Sequence, residues 1–198
     1  MDLIGITRAL TPEQVETAYR RGVFPMGDPD FGVITWHRPS RRALIPLESF
    51  HVSGSLARTM RRVGYTVTVD KDFDAVMRGC ADRPSTWITS EIRAAYGELH
   101  RRGKAHSLEI WLDDFLAGGI YGVHLGGAFF AESKFHRVRD MSKVALACLV
   151  ERLRRQDFLM LEVQYLTPHL AQFGAVEVSA RDYQRRLSRA LAVERGFL

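Results

Sequence analysis

HSLEIWLDDFLAGGIYGVHLGGAFFAES, His106–Ser133, reads as three strands in succession. His106–Leu112 turns at Asp113-Asp114 into Phe115–Val123, and Gly126-Gly127 turns into Ala128–Ser133. Aspartate and glycine are the residues that tolerate tight-turn backbone. Downstream, the spacing predicts a helix over Ser142–Arg155, a strand over Leu159–Gln164, a short helix at Pro168–Phe173, a strand at Val176–Val178 and a last helix over Arg181–Ala192. Upstream, helices are expected over Ser55–Arg62, Phe73–Ala81 and Ser90–Arg102, with a strand at Tyr65–Val69 that alternates apolar residues against threonines. Thr11-Pro12 opens a first helix that Gly22 ends. GVFPMGDPDFG, Gly22–Gly32, reads as a loop exposing Phe24 and Met26, and the stretch from Ile34 to Ser53 as short extended pieces broken by Pro39 and Pro46. Hairpins, then β-α-β, then a returning strand predict a mixed α/β sheet of the α+β class. A small N-terminal domain is expected over residues 1–63 and a larger one over 64–198.

The 198 residues suffice for one buried core or two small domains sharing an interface, and 46% hydrophobic with 26% charged residues is ordinary for a globular chain. No apolar run approaches the ~18 residues of a membrane span. MDLIGITRAL lacks the basic start and apolar stretch of a signal peptide, so no membrane partner is expected. Cys80 and Cys148 have no metal-ligand spacing and suit a reducing compartment, which points to the cytoplasm and to no bound metal. Net charge is +5, mostly from arginine clusters such as Arg58-Arg61-Arg62 and Arg185-Arg186-Arg189. Charge alone leaves nucleic-acid contact and a solvated arginine surface equally open. No zinc finger, RNP signature or GXXG loop sharpens the choice.

Three polar residues interrupt strands that should be apolar. AFFAESKF, Ala128–Phe135, carries Glu132, and FLMLEVQYL, Phe158–Leu166, carries Glu162 and Gln164. Residues two apart on a strand share a face, so Glu162 and Gln164 are expected side by side. Such groups are costly in apolar surroundings unless paired or used. A carboxylate with an amide neighbour, and a second carboxylate near, can orient an amine. The competing reading is a solvated strand edge.

TWITSEI (Thr86–Ile92), GKAHSLEIW (Gly103–Trp111), GGIYGVHLGGAFFAESKF (Gly118–Phe135) and LEVQYLTPHLAQFGA (Leu161–Ala175), with RRGVFPMG from Arg20 and ARDYQRRL from Ala180, resemble the leucyl/phenylalanyl-tRNA–protein transferases. The motifs lie in order over most of the chain. The resemblance implies transfer of Leu or Phe, and of Met as a further donor, from aminoacyl-tRNA to the N-terminal α-amine of acceptor proteins, tagging them for degradation. It also implies a GNAT-like catalytic domain behind a smaller N-terminal one, no cofactor, and a monomer.

Carried over by position, Gln164 would accept a hydrogen bond from the attacking amine. Glu162, where the family has Asp, would orient Gln164. Glu132 would lie at the acceptor site, where a carboxylate suits a basic N-terminus. Lys134 replaces the Met that relatives carry in the pocket for the transferred side chain. On the same strand face as Glu132 it could neutralise it, which would favour acidic acceptors, or it could reach out to tRNA phosphate. Ile120, Phe130 and Val144 would line the apolar pocket. Trp87 would pack near the bound 3′ adenosine, although a core tryptophan is the plain alternative. Arg61 and Arg62, with Arg58 beside them, would hold the tRNA backbone. TWHRPSRR, from Thr35 to Arg42, departs from the family's paired aromatics and PDPR-like run, so the N-terminal match is weaker.

The main rival is an acetyl-CoA-dependent N-acetyltransferase of the GNAT family. It needs a Gly-rich turn that lets helix N-terminal amides cradle a pyrophosphate. Ser133–Lys143, SKFHRVRDMSK, holds no glycine. A non-catalytic tRNA-binding protein would explain the arginines and Trp87 but not the polar residues in apolar strands. A serine or cysteine hydrolase lacks its nucleophile motif.

Overall fold

The computed structural model describes residues 3–198. The element order is β1 (Leu3–Thr7), α1 (Pro12–Arg20), β2 (Phe24–Asp28), β3 (Val33–His37), β4 (Arg41–Ile45), α2 (Gly54–Arg62), β5 (Thr66–Val69), α3 (Phe73–Ala81) and α4 (Ser90–Arg101). It continues with β6 (Ala105–Leu112), β7 (Phe115–Leu125), β8 (Ala128–His136), α5 (Met141–Arg155), β9 (Met160–Glu162), α6 (Pro168–Ala171), β10 (Val176–Ser179) and α7 (Ala180–Leu191).

The expected hairpins form. β6, β7 and β8 are antiparallel neighbours in a seven-stranded sheet of order β10-β4-β9-β8-β7-β6-β5. Only β8 and β9 run parallel, joined by the α5 crossover, so the sheet is mixed and the class is α+β. α5 covers one face with Val144, Leu146, Leu149 and Leu153. α3 and α4 cover the other with Val76, Met77, Ile92 and Tyr96. Both faces are apolar because both are covered.

Two local devices shape the site. Tyr121 pairs with Ser133 and Gly122 with Ala131, which leaves Glu132 as the extra residue of a β-bulge in β8. Gly122 makes this possible, since a Cβ there would collide with the Phe130 carbonyl and the Phe129 ring. The bulge overturns the expectation that Glu132 and Lys134 share a face. Lys134 pairs across the strands with Ile120, on the α5 side, whereas Glu132 meets residues of α1 and α4.

The second device is the parting of the parallel pair. β8 and β9 stay in register only from Ala128–Met160 to Phe130–Glu162. Beyond that, Val163 N–H donates to Ala43 O and Ala43 N–H donates to Gln164 O, so the chain follows β4 and leaves β8. Gln164 then adopts φ 55, and Tyr165 N–H donates to Val163 O at 2.7 Å, closing a tight turn around it. Gln164 is therefore outside the strand, and the expected side-by-side projection of Glu162 and Gln164 does not occur.

The N-terminal unit is a three-stranded sheet, β1-β3-β2, with α1 against it. Thr11 and Gln14 form a reciprocal capping box on α1. The Gly22–Gly32 segment is not a loop exposing Phe24. It contains edge strand β2, and Phe24 is 3% exposed, packed beside Arg42 and edge-on to Tyr165. Pro25 is tolerated there because β2 is an edge strand. The expected boundary at residue 63 also differs from the sheets. β4 already belongs to the seven-stranded sheet, and α2 packs on α5, so the small unit ends at β3.

Candidate active site

Where β8 and β9 part lies a cavity of about 80 Å³, lined by Ile120, Ala131, Glu132, Ser133, Lys134, Leu146, Val163, Gln164 and Leu170. Of the residues the sequence nominates, it gathers Glu132, Gln164, Lys134 and Ile120. Phe130 and Val144 do not line it. Both are fully buried in the core, Phe130 with its ring 4.7 Å from that of Tyr19 and Val144 on the sheet-facing side of α5.

Glu132 is held by neutral donors. Tyr19 Oη donates to Oε1 at 2.5 Å, Tyr96 Oη approaches Oε2 at 3.4 Å, and the two hydroxyls lie 2.8 Å apart. Gln164 Nε2 donates to Oε1 at 3.1 Å. Gln164 thus lines the cavity with its amide nitrogen committed to Glu132. Burial pushes the Glu132 carboxyl up to about 8, helped by the charge of Glu162 and opposed by the Tyr19 and Tyr96 hydrogen bonds and by Arg42. Burial, and then the Glu132 charge, push both tyrosines far above their ordinary range, so they stay neutral donors.

Glu162 is treated differently. It is 0% exposed and ion-paired to Arg42, itself 1% exposed, with Arg42 Nε donating at 2.7 Å and Nη2 also in contact. Tyr183 Oη donates to its other oxygen at 2.7 Å. The Arg42 guanidinium lies 4.3 Å from the Tyr183 ring and 5.1 Å from the Phe24 ring, and Nη1 donates to Gly22 O at 2.5 Å. Burial alone would lower the Arg42 pKa, but Glu162 and Tyr183 raise it. Glu162 thus orients Arg42, not Gln164. The direct Glu162–Gln164 coupling expected from the strand alternation is absent because Gln164 has left the strand.

The neutralisation of Glu132 by Lys134 that a shared face would allow is likewise replaced by the tyrosine and amide contacts. Tyr19, Tyr96, Arg42 and Tyr183 are the site residues that sequence reading missed. Each lies 21 to 120 positions from the carboxylate it serves, and a buried tyrosine, or one arginine within a basic run, carries no local signal.

Trp87 is half-buried against the α3–α4 side of the core. Its carbonyl accepts from Gly27 N–H at 3.0 Å, where a Cβ on Gly27 would come within 2.6 Å of that oxygen, so this stretch also seats β2. Arg58, Arg61 and Arg62 are exposed on α2, and none of them lines the cavity. Among the described residues no group of three or more His, Cys, Asp or Glu could hold a metal ion, and no helix is long and apolar enough to cross a membrane.

The family model described as leucyl/phenylalanyl-tRNA protein transferase matches residues 44–188, and that of its N-terminal domain matches residues 8–40. The chain is 53% identical over 187 residues to the leucyl/phenylalanyl-tRNA–protein transferase of Ruegeria pomeroyi, covering 92% of this chain and 88% of that one. The Rubrobacter xylanophilus enzyme of the same name is 51% identical, covering 95% and 98%, and that of Salinibacter ruber is 50% identical, covering 93% and 81%. A solved ribosomal-protein-alanine N-acetyltransferase from Brucella melitensis aligns with 53% of this chain and 82% of its own at 14% identity and TM-score 0.40, too loosely to carry an argument. Matches of this identity along nearly the whole length leave no ambiguity of family: the chain belongs to the leucyl/phenylalanyl-tRNA–protein transferases.

Proposed function

We propose that this protein moves a leucyl or phenylalanyl group from aminoacyl-tRNA to the α-amine at the N-terminus of an acceptor protein. The acceptor amine attacks the ester carbonyl, the new amide bond forms, and the tRNA 3′ oxygen leaves with a proton. The ester is already activated, so the site has to align two reactants and relieve the attacking nitrogen of its proton. The observation that carries this reading is Gln164 itself, placed at the parting of β8 and β9 with its amide nitrogen on Glu132. Its oxygen is then the acceptor that meets the incoming amine. Glu132 fixes that orientation, and a carboxyl with pKa about 8 exchanges a proton readily near neutrality. Glu162, clamped by Arg42 and Tyr183, supports the site as a fixed negative charge.

Ile120, Ala131, Leu146, Val163 and Leu170 form the apolar wall for the transferred side chain. Such a wall selects by volume and discriminates weakly among Leu, Phe and Met. Arg58, Arg61 and Arg62 contact the tRNA backbone, which suits an enzyme that accepts tRNAs of different anticodons. Trp87 offers a stacking face to the terminal adenosine. A monomer acting in the cytoplasm without a cofactor completes the proposal. Acetyl transfer from acetyl-CoA is disfavoured by the glycine-free segment before α5.

The test is transfer of labelled leucine from Leu-tRNA to a panel of short peptides, with Gln164→Ala alongside. Transfer by the wild type that falls about 100-fold or more in the variant, with an unchanged melting temperature, is expected. Acetyl-CoA turnover without any aminoacyl incorporation would sink the proposal.

A further inference from the structure

The C-terminal ends of β8, β9 and β10 point the same way, because β8 and β9 are parallel and β4 is antiparallel to both β9 and β10. α7 follows β10 directly, so it begins at the end of the sheet where β8 and β9 part and the cavity lies. Tyr19, in the last turn of α1, reaches Glu132, and Tyr183, in the first turn of α7, reaches Glu162. Arg20 and Arg21 follow Tyr19 and close α1. A Cβ on Gly22 would come 2.8 Å from the Tyr183 ring and 3.6 Å from Gln184 Oε1, so the turn after α1 sits on the first turns of α7. Arg181 and Arg185 share the helix face of Gln184. Ala180 N–H donates to Ser40 O at 3.0 Å, which brings the end of β3 and Arg38 to the same place. Arg21 and Arg38 also line one groove, of about 490 Å³.

Arg20, Arg21, Arg38, Arg181 and Arg185 are all exposed. Arg185 is paired with Asp182 at 2.8 Å. Among the described residues, no carboxylate lies within ion-pair distance of the other four. Glu16, one turn before Arg20 on α1, offsets part of their charge. Exposed arginines elsewhere are neutralised by acids of their own helix, Arg78 by Asp74, Arg101 and Arg102 by Glu98, and Arg155 by Glu151. Those are solvated, balanced faces. The rim beside the cavity is left with uncompensated positive charge, which does nothing for the stability of the fold and attracts an anionic partner. The arginines of α2 are unpaired too, but α2 packs on α5 and so stands on the opposite side of the sheet from α7.

We infer that Arg20, Arg21, Arg38 and Arg181 form a second tRNA-contact surface, distinct from α2, that holds the phosphates next to the aminoacylated 3′ end. This rests on the proposed transfer reaction, in which the tRNA is the polyanion that must come to this end of the sheet, whereas the acceptor brings an amine. Guanidinium forks match phosphate oxygens bidentately. Contacts of this kind fix the position of the ester over the cavity without reading sequence, so leucyl and phenylalanyl donors are served alike.

The experiment measures leucyl transfer to one peptide from two donors, full-length Leu-tRNA and a leucylated minihelix made of the acceptor stem and 3′ end alone. It uses the wild type, a variant combining Arg21→Gln, Arg38→Gln and Arg181→Gln, and a second combining Arg21→Lys, Arg38→Lys and Arg181→Lys. The glutamine variant should raise KM for both donors about tenfold or more and flatten the logarithmic salt dependence by about 2 to 3. Its kcat at saturating donor and its KM for the peptide should stay at the wild-type values, and the lysine variant should keep most of the donor affinity. Unchanged donor KM and salt dependence would overturn the inference. So would a loss confined to full-length tRNA, which would place the surface elsewhere on that molecule, or a rise in KM for the peptide instead, which would make it an acceptor surface. These outcomes leave the transfer reaction standing; absence of leucyl transfer by the wild type would overturn both.

Discussion

Two carboxylates, Glu162 fully buried and Glu132 half-buried, lie on adjacent strands of one sheet and have opposite surroundings. Glu162 faces a cation, Arg42, and one tyrosine. Glu132 faces two tyrosines and an amide, all neutral. A buried charge matched by another buried charge is fixed in place and chemically quiet. One matched only by neutral donors keeps its proton to higher pH, and here burial carries it to about 8. The pair teaches that burial alone does not mark a reactive group. What separates Glu132 from Glu162 is the absence of a counter-charge.

Removing the cation breaks the comparison hardest. Arg42→Met strands Glu162 in the core and should cost about 3–5 kcal/mol, read as a fall in the urea midpoint. A loss under about 1 kcal/mol would mean that Arg42 is no clamp. Glu132→Gln acts in the opposite direction and depends on pH. Its folded pKa, about 8, lies above the ordinary 4.5, so between these values the folded state binds more protons than the unfolded one. Wild-type stability therefore carries a penalty that is absent below about pH 4.5, grows as pH rises and levels off above about pH 8. Glu132→Gln should match the wild type at low pH and gain on it steadily towards pH 8; parallel pH profiles would refute this. Smallest is Tyr19→Phe, which removes one hydroxyl donor at a cost of about 1 kcal/mol. Because that donor lowers the Glu132 pKa, the variant should raise it further. An unchanged titration would mean that the 2.5 Å contact does not persist in solution.

Much of this architecture was legible in the chain. The hairpins from His106 to His136 announce themselves through Asp113-Asp114 and Gly126-Gly127, and the α1 cap through Thr11-Pro12. The presence of Glu132 and Gln164 in apolar runs correctly marked residues that meet at one cavity. What could not be read was geometry that breaks the local period. Gln164 looks like a strand residue until φ 55 takes it off the strand, and Lys134 looks cofacial with Glu132 until the bulge turns it to the other side. Phe24 looked exposed because glycine and proline surround it, yet an edge strand accommodates both. Arg42 and Tyr183 reach Glu162 from distant parts of the chain, and only the folded sheet makes them neighbours.

The difference between the two carboxylates is most directly tested by carbon NMR of the protein labelled at its glutamate carboxyl carbons, titrated from pH 4 to 10 without substrate. The account predicts one carboxyl titrating near 8 in the wild type and missing from Glu132→Gln. A wild-type titration with no carboxyl inflecting above about pH 6 would contradict it.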